Sequence, residues 1–305
     1  MTEQKTKLQT KIGSGEPILV IEIAPPKSGD PAPVRAAAKR FAGKVDAVSV
    51  SDNRHGACMA ALAAAGIVAS EGVETILHVV TRDRNRIALI SNCLGAQALG
   101  VRNILCTSGM HQTLGACRPA KNVFDIDSIQ LLSALSRLDT DASVVCQERI
   151  EGAGPFCLGA VAAPFADPPE LQLMRLAKKV AAGAQFLVTQ PVYDLDRFQA
   201  WWNQVTQRGI PQKAAVLAGI RPLLSADAAK SYAASRPFPM VPQALLDRLS
   251  TAGDAKAQRA AGIAIAVETV QQLSALNGVR GFQIDVEDDE DAALEIVERA
   301  GLGVQ

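Results

Sequence analysis

ILVIEIAPPK, residues 18–27, is the stretch from which the fold reads outward. Five aliphatic residues surround a single Glu22, and the run stops at Ala24-Pro25-Pro26. A segment this short, apolar on both faces and ended by a proline turn, reads as a parallel strand covered on both sides. The proline turn has no glycine-rich cradle for a pyrophosphate, so the dinucleotide fingerprint that follows the first strand of many open α/β sheets is missing. An amphipathic, alanine-rich helix pattern comes next, VRAAAKRFAG, residues 34–43.

The same unit recurs along the chain. Strand-like runs follow at AVSVS (47–51), TILHVV (75–80), NILCTS (103–108), CLGAVAA (157–163), FLVTQPV (186–192), AAVLAGI (214–220) and GFQIDV (281–286). Helical patterns such as RIALISNCLGAQALG (86–100) and LQLMRLAKKVAAG (171–183) lie between them, many ending in the glycine expected of a helix C-cap. Alternating units of this size predict an α/β fold of the (β/α)8 TIM-barrel type. It is read as one domain over residues 18–305 behind a polar N-terminal arm, residues 1–17; a doubly wound open sheet is the alternative. The stretch 225–277 predicts more than one helix, broken at Pro237–Pro242. The acidic run Glu287–Asp291 reads as the first turn of a helix, favoured by the helix dipole.

Composition narrows the partners. The 305 residues carry 31 Lys+Arg and 31 Asp+Glu, a formal net charge of zero, so no basic footprint for nucleic acid is visible. No apolar run approaches the roughly 20 residues of a membrane span. MTEQKTKLQTKIGSGEP lacks the apolar stretch of a signal peptide, which predicts a cytoplasmic protein. The six cysteines form no C-x-x-C pair and read as buried reduced thiols rather than a metal site.

In such a barrel the chemistry sits at the C-terminal ends of the strands. Glu22 alternates with Ile21 and Ile23, so it is expected to face the barrel interior. Burial there disfavours the charged form of a carboxylate, which suits a general acid; the alternative is a structural ion pair with Arg or Lys. His78 reads either as a core histidine or as a hydrogen-bonding partner of a cofactor ring or phosphate. Gln190 offers a donor and an acceptor for the edge of a heterocycle. Lys179 reads as a solvated helix lysine or as a phosphate contact. Ser51-Asp52-Asn53, Thr81-Arg82-Asp83, Thr107-Ser108-Gly109 and Arg221 complete the polar strand ends.

Taken in order, VIEIAPPK (20–27), VSVSDN (48–53), HVVTRDRN (78–85), GAQALGVRNILCTSG (95–109), VFDIDSIQLL (123–132), AGAQFLVTQPVYD (182–194), AGIRPL (218–223) and VPQALLDRL (241–249) resemble the methylenetetrahydrofolate reductase family. The resemblance runs from about residue 18 to residue 302. It implies an FAD-bearing barrel that interconverts 5,10-methylenetetrahydrofolate and 5-methyltetrahydrofolate by hydride transfer. By position, Glu22 resembles the general acid, Gln190 the residue that hydrogen-bonds the pterin, and Tyr232 an aromatic that packs on the folate or nicotinamide. Ser51, His78, Ser108, Gly109, Lys179 and Ala184 match FAD-contacting positions, and Phe124 and Asp125 match contacts to the adenine side of the cofactor. Several positions depart from the pattern. Met110 stands where the family usually has aspartate, and Ala163, with Asp167 after it, stands where many members have Tyr and His. Gln172 and Arg175 differ likewise. The resemblance implies NAD(P)H or an electron-supplying partner subunit as the electron source, with homo-oligomerisation open. A non-redox folate-binding barrel, such as a methyltransferase subunit or regulatory homologue, is the alternative function.

Overall fold

The computed structural model describes residues 5–54, 56–115, 117–141, 150–235, 241–286 and 289–303. Its strands are β1 (Ile18–Ile23), β2 (Ala47–Val50), β3 (Thr75–Val80), β4 (Asn103–Thr107), β5 (Cys157–Ala162), β6 (Phe186–Pro191), β7 (Ala215–Ile220) and β8 (Val279–Asp285). All neighbours pair in parallel and β8 pairs with β1, so the sheet closes in the order β1 to β8. The expected barrel is therefore the observed one, and the open sheet is excluded.

The described helices are α1 (Lys7–Ser14), α2 (Ala32–Phe41), α3 (Ala61–Ser70), α4 (Arg86–Ala98), α5 (Ser128–Leu135), α6 (Pro169–Ala181), α7 (Leu195–Gln207), α8 (Ala226–Ala234), α9 (Gln243–Ser250), α10 (Ala255–Ser274) and α11 (Glu290–Arg299). The stretch 225–277 thus holds α8, α9 and α10; Pro237 and Pro239 lie outside the described residues. Asp289 caps α11 by accepting from Ala292 N, with Glu290 and Asp291 in the first turn. Glu287 and Asp288 of the acidic run lie outside the described residues, as does Cys146. The other five cysteines are unpaired thiols. No helix among the described residues is long and apolar enough to cross a membrane.

Strand alternation divides the core in two. Leu19, Ile21 and Ile23 of β1 pack outward against the helices, in a shell that also takes Phe41, Leu89 and Phe198. Ile18 and Val20 point inward, with Ala47, Ile76, Leu105, Cys157 and Phe186, to fill the lower barrel. Phe186 needs a gap opposite: a Cβ on Gly159 would lie 2.2 Å from its ring, so only glycine fits there.

The arm before the barrel contains α1, with a capping box formed by Thr6 and Gln9. Leu8, 1% exposed, inserts into the inner core from below. Burying such a side chain contributes roughly 1.5–3 kcal/mol. Thr6 Oγ1 donates to Asn103 Oδ1 at 2.8 Å and Lys11 pairs with Asp46 at 2.6 Å, so α1 closes the N-terminal end of the barrel. The opposite end stays open, and the polar strand ends converge there.

Candidate functional site

The sheet's alternation carries Glu22 inward at the top of β1, two residues above Val20, and leaves it 8% exposed. The same parity on β8 brings Gln283 and Asp285 inward beside it, while Phe282 and Ile284 face the helices. Gln283 Nε2 donates to Glu22 Oε2 at 2.6 Å. Arg54, four residues beyond the end of β2, donates from Nη1 to Glu22 Oε1 at 2.7 Å and pairs with Asp285 Oδ2 at 2.7 Å. Arg221, just past β7, pairs with the same Asp285 oxygen at 2.7 Å and lies 4.7 Å from the centroid of the Tyr232 ring. Burial works against the Arg54 charge, but Asp285 and Glu22 more than offset it, so its guanidinium holds its proton more firmly than usual. The carboxyl at position 22 is therefore ringed by donors, and part of the ion-pair alternative is realised.

Glu22 lines a cavity of about 260 Å³. Val80, Leu105, Val161 and Val188 give it apolar lining; Ser51, His78, Gln190, Gln283 and Tyr232 supply polar edges. Ser51 Oγ, Gln190 Oε1 and Gln283 Oε1 are buried there with no hydrogen-bond partner. A buried polar atom left unpaired costs about 1–3 kcal/mol, so three beside one cavity point to a ligand with complementary groups. His78 is buried and its Nε2 lies 2.6 Å from Ser49 Oγ, a side-chain partner rather than the backbone. Burial pushes its imidazole below the usual range, toward the neutral form. A second, outer groove of about 920 Å³ runs between the β1–α2 and β8–α11 loops, and Ser51 and Arg54 line both spaces.

One wall of the inner cavity is the turn after β4. Gly109 adopts φ +76, and a Cβ there would lie 2.8 Å from Val80 Cγ1, so a side chain is doubly excluded. Arg82, buried, donates to Met110 O at 3.2 Å and pairs with Asp83 at 2.7 Å, which pins this turn to β3. Beneath it Asp52 accepts from Val80 N at 3.0 Å and is paired with Arg84.

The structure thus brings Glu22, Ser51, His78, Gly109, Met110, Gln190 and Tyr232 to one cavity. Ser108 stands behind its wall, with Oγ donating to Ser128 Oγ at 3.2 Å. Phe124 and Asp125 lie farther along the β4–α5 loop; Phe124 is 40% exposed, and Asp125, paired with Arg86, is brought down to about 2 by that contact. Ala163 follows the end of β5 on the same rim. Lys179 is no solvated helix lysine. Its Nζ donates to Val161 O at 2.6 Å, and burial, with Arg175 nearby, brings its amine down to about 8. Ala184 is a correction. It precedes β6, at the closed end of the barrel, and is 3% exposed within the outer core, so no ligand at the open end can touch it. Arg54, Gln283 and Asp285 were not singled out from the sequence. The alternation in GFQIDV that turns Phe282 and Ile284 outward was the available signal for the last two; Arg54, in a loop, had none.

Comparison with known proteins adds an independent line. The family model described as methylenetetrahydrofolate reductase matches residues 7–301. Methylenetetrahydrofolate reductase 1 of Schizosaccharomyces pombe (strain 972 / ATCC 24843) is 31% identical over 152 residues, 48% of this chain and 24% of that protein. The probable methylenetetrahydrofolate reductase (NADPH) of Caenorhabditis elegans is 25% identical over 182 residues, 58% of this chain and 25% of that protein. The matched part thus spans about a quarter of the length of these curated relatives. Among solved structures, an uncharacterized protein from Clostridium thermocellum, described as binding two copies of 5-methyl-5,6,7,8-tetrahydrofolic acid, superposes with a TM-score of 0.63 at 13% identity, over 96% of this chain and 97% of its own. At that identity the likeness is one of fold.

Proposed function

The chain belongs to the methylenetetrahydrofolate reductase family, and from that premise we propose that it interconverts 5,10-methylenetetrahydrofolate and 5-methyltetrahydrofolate with a bound flavin. The observation that carries the reading is Glu22, buried beside a cavity with apolar lining and three unpaired polar atoms around it. That combination fits a flat heterocycle, whose faces take apolar contact and whose edges take hydrogen bonds. FAD supplies hydride chemistry when bound. Ser51, His78, Gly109 and Met110 are the cavity residues suited to hold its ring system. Ser108, Phe124, Asp125, Ala163 and Lys179, on or behind the neighbouring rim, are suited to the remainder.

On this reading Gln190 hydrogen-bonds the pterin through its unpaired Oε1 and its amide N–H groups, and Tyr232 packs on the substrate. Glu22 delivers a proton to the folate nitrogen, so that the five-membered ring opens and the methylene carbon becomes electrophilic. In the reverse direction the same carboxylate takes that proton back. Neutral His78 adds no competing positive charge near the acid. The name of the Caenorhabditis elegans relative supports a nicotinamide as the electron donor.

A second reading rests on one feature. Met110 lines the cavity where the family usually has aspartate, which suits a folate-binding barrel without redox chemistry. One experiment separates the two. The purified protein is expected to carry flavin absorbance that bleaches anaerobically on addition of 5-methyltetrahydrofolate. Tight folate binding by a colourless protein that gains no flavin on reconstitution would favour the second reading.

A further inference from the structure

The most unusual feature of the site is that one guanidinium nitrogen serves two carboxylates. Glu22 and Asp285 face each other across the β1–β8 seam in direct register. Arg54 Nη1 lies 2.7 Å from Glu22 Oε1 and 2.7 Å from Asp285 Oδ2. Its loop leaves β2 through Asn53, which holds φ +49, and the side chain borders both the inner cavity and the outer groove.

The two partners of Glu22 differ in what they tolerate. Gln283 is an amide: it donates to a carboxylate through Nε2 and, turned over, accepts from a carboxyl O–H through Oε1. Its Oε1 has no partner, so the bond from Nε2 to Glu22 is the one side-chain hydrogen bond to be given up when the amide turns over. Arg54 is a donor only and stays charged. It complements the carboxylate, and to a protonated Glu22 it can donate only at the weaker, uncharged acceptor oxygen. Protonating Glu22 on Oε2, the oxygen that faces Gln283, therefore weakens the bond from Arg54 to Oε1. The fold provides the counterweight, because Asp285 is already in contact and keeps the guanidinium paired as its bond to Glu22 weakens.

We propose that Arg54 is a positioning residue that governs the proton on Glu22: it holds the carboxylate in the empty site, and its charge shifts toward Asp285 when Glu22 is loaded from solvent. The inference rests on Glu22 being the acid of the proposed reaction. The proton passes from water at the cavity mouth to Glu22 and then to the folate nitrogen; Arg54 remains protonated throughout. Among the described residues, the other charged and titratable groups around the pair are Arg221 and Asp285 at the ends of β7 and β8, His78 on β3, Asp52 after β2, Tyr232 on α8 and Tyr193 after β6. His78 is held neutral by burial and Asp52 is engaged by Arg84, so neither duplicates the role of Arg54.

The test is the pH profile of the folate half-reaction, measured by rapid mixing of the flavin-loaded, pre-reduced protein with 5,10-methylenetetrahydrofolate. The wild-type rate is expected to fall on the alkaline side as Glu22 loses its proton. In Arg54→Met the falling limb should move up by about one pH unit or more, the scale of removing one adjacent opposite charge; Arg54→Lys should restore most of the wild-type position. Asp285→Asn tests the same idea with Arg54 kept. Deprived of its second carboxylate, Arg54 is left wholly to Glu22, and the limb should move to lower pH. Opposite displacements support this control of the Glu22 proton. A limb that stays put in both variants, or moves the same way in both, overturns it. Should Arg54→Met not fold, Asp285→Asn and Arg54→Lys still decide the matter. If instead Glu22→Gln keeps both turnover and the limb, it is the acid assignment that fails, not the role of Arg54 alone.

Discussion

Gln283 Nε2 donates to Glu22 Oε2 at 2.6 Å across the seam where β8 joins β1. The contact ties the orientation of the proposed acid to a residue whose other amide atom, Oε1, borders the cavity without a partner. Gln283→Leu keeps the bulk and removes both functions. Folate binding should weaken by about 1–3 kcal/mol, the usual effect of leaving a ligand's polar group unpaired, and the folate half-reaction should slow. Flavin content should be unchanged. Equilibrium titration with 5-methyltetrahydrofolate checks this; loss of flavin without a folate effect would assign Gln283 to the cofactor.

Gln190 makes the complementary case from β6. Its Oε1 is also unpaired, on the cavity wall formed where β6 shifts register between Val188 and Pro191. Gln190→Leu should cost folate affinity about 1–3 kcal/mol while leaving flavin bound. Doubling the substitution with Gln283→Leu should give nearly additive losses if the two read separate groups of one ring.

Lys179 opposes stability and cofactor binding to each other. Its amine, lowered from 10.5 to about 8 by burial, is still charged at pH 7 in the folded protein. In the range from about 8 to 10.5 the unfolded chain binds the proton that the folded chain has lost, so stability should rise with pH across that window. Lys179→Met should remove the rise and stabilise the flavin-free protein near pH 7 by on the order of 1–3 kcal/mol. It should also weaken flavin binding if the amine meets the cofactor. Denaturant midpoints at pH 7 and pH 10, with and without FAD, measure both. A destabilised flavin-free variant would mean that the bond to Val161 O outweighs the cost of burial.

Met110 governs the reduction potential on the same reading. Reduced flavin tends to carry negative charge near N1, which an aspartate repels and a thioether does not. Because Arg82 fixes the backbone through Met110 O, Met110→Asp should alter the side chain alone. The bound flavin's midpoint should fall by tens of millivolts, about 30 mV for each 1.4 kcal/mol in a two-electron couple. Spectroelectrochemistry of the two proteins reads it directly. An unchanged midpoint would reduce Met110 to a packing residue.

The barrel was legible because its strands repeat one pattern, from ILVIEI to GFQIDV, and glycines such as Gly72 and Gly100 close the helices in the left-handed conformation the sequence implied. Glu22 was legible for the same reason, since period-two alternation decides which way a side chain points. Asp285 and Gln283 obey that rule too, but a lone carboxylate in an apolar strand draws the eye and an amide does not. Arg54 was illegible. It reaches Glu22 from a loop, and no periodicity specifies where a loop arginine ends. Ala184 failed for a related reason: a match by position in a motif carries no information about which end of the barrel it occupies, whereas its place before β6 does.

The measurement that bears most directly on the proposed chemistry is single-turnover oxidation of the pre-reduced flavoprotein by 5,10-methylenetetrahydrofolate in Glu22→Gln, followed at the flavin absorbance. The substitution keeps the size of the side chain and removes its titratable proton. Flavin should still bind and still be reduced by its donor, while the folate step slows by roughly 100- to 10,000-fold, the scale of losing an acid catalyst. A folate step at near wild-type rate would contradict the assignment of Glu22 and, with it, the chemistry proposed for this cavity.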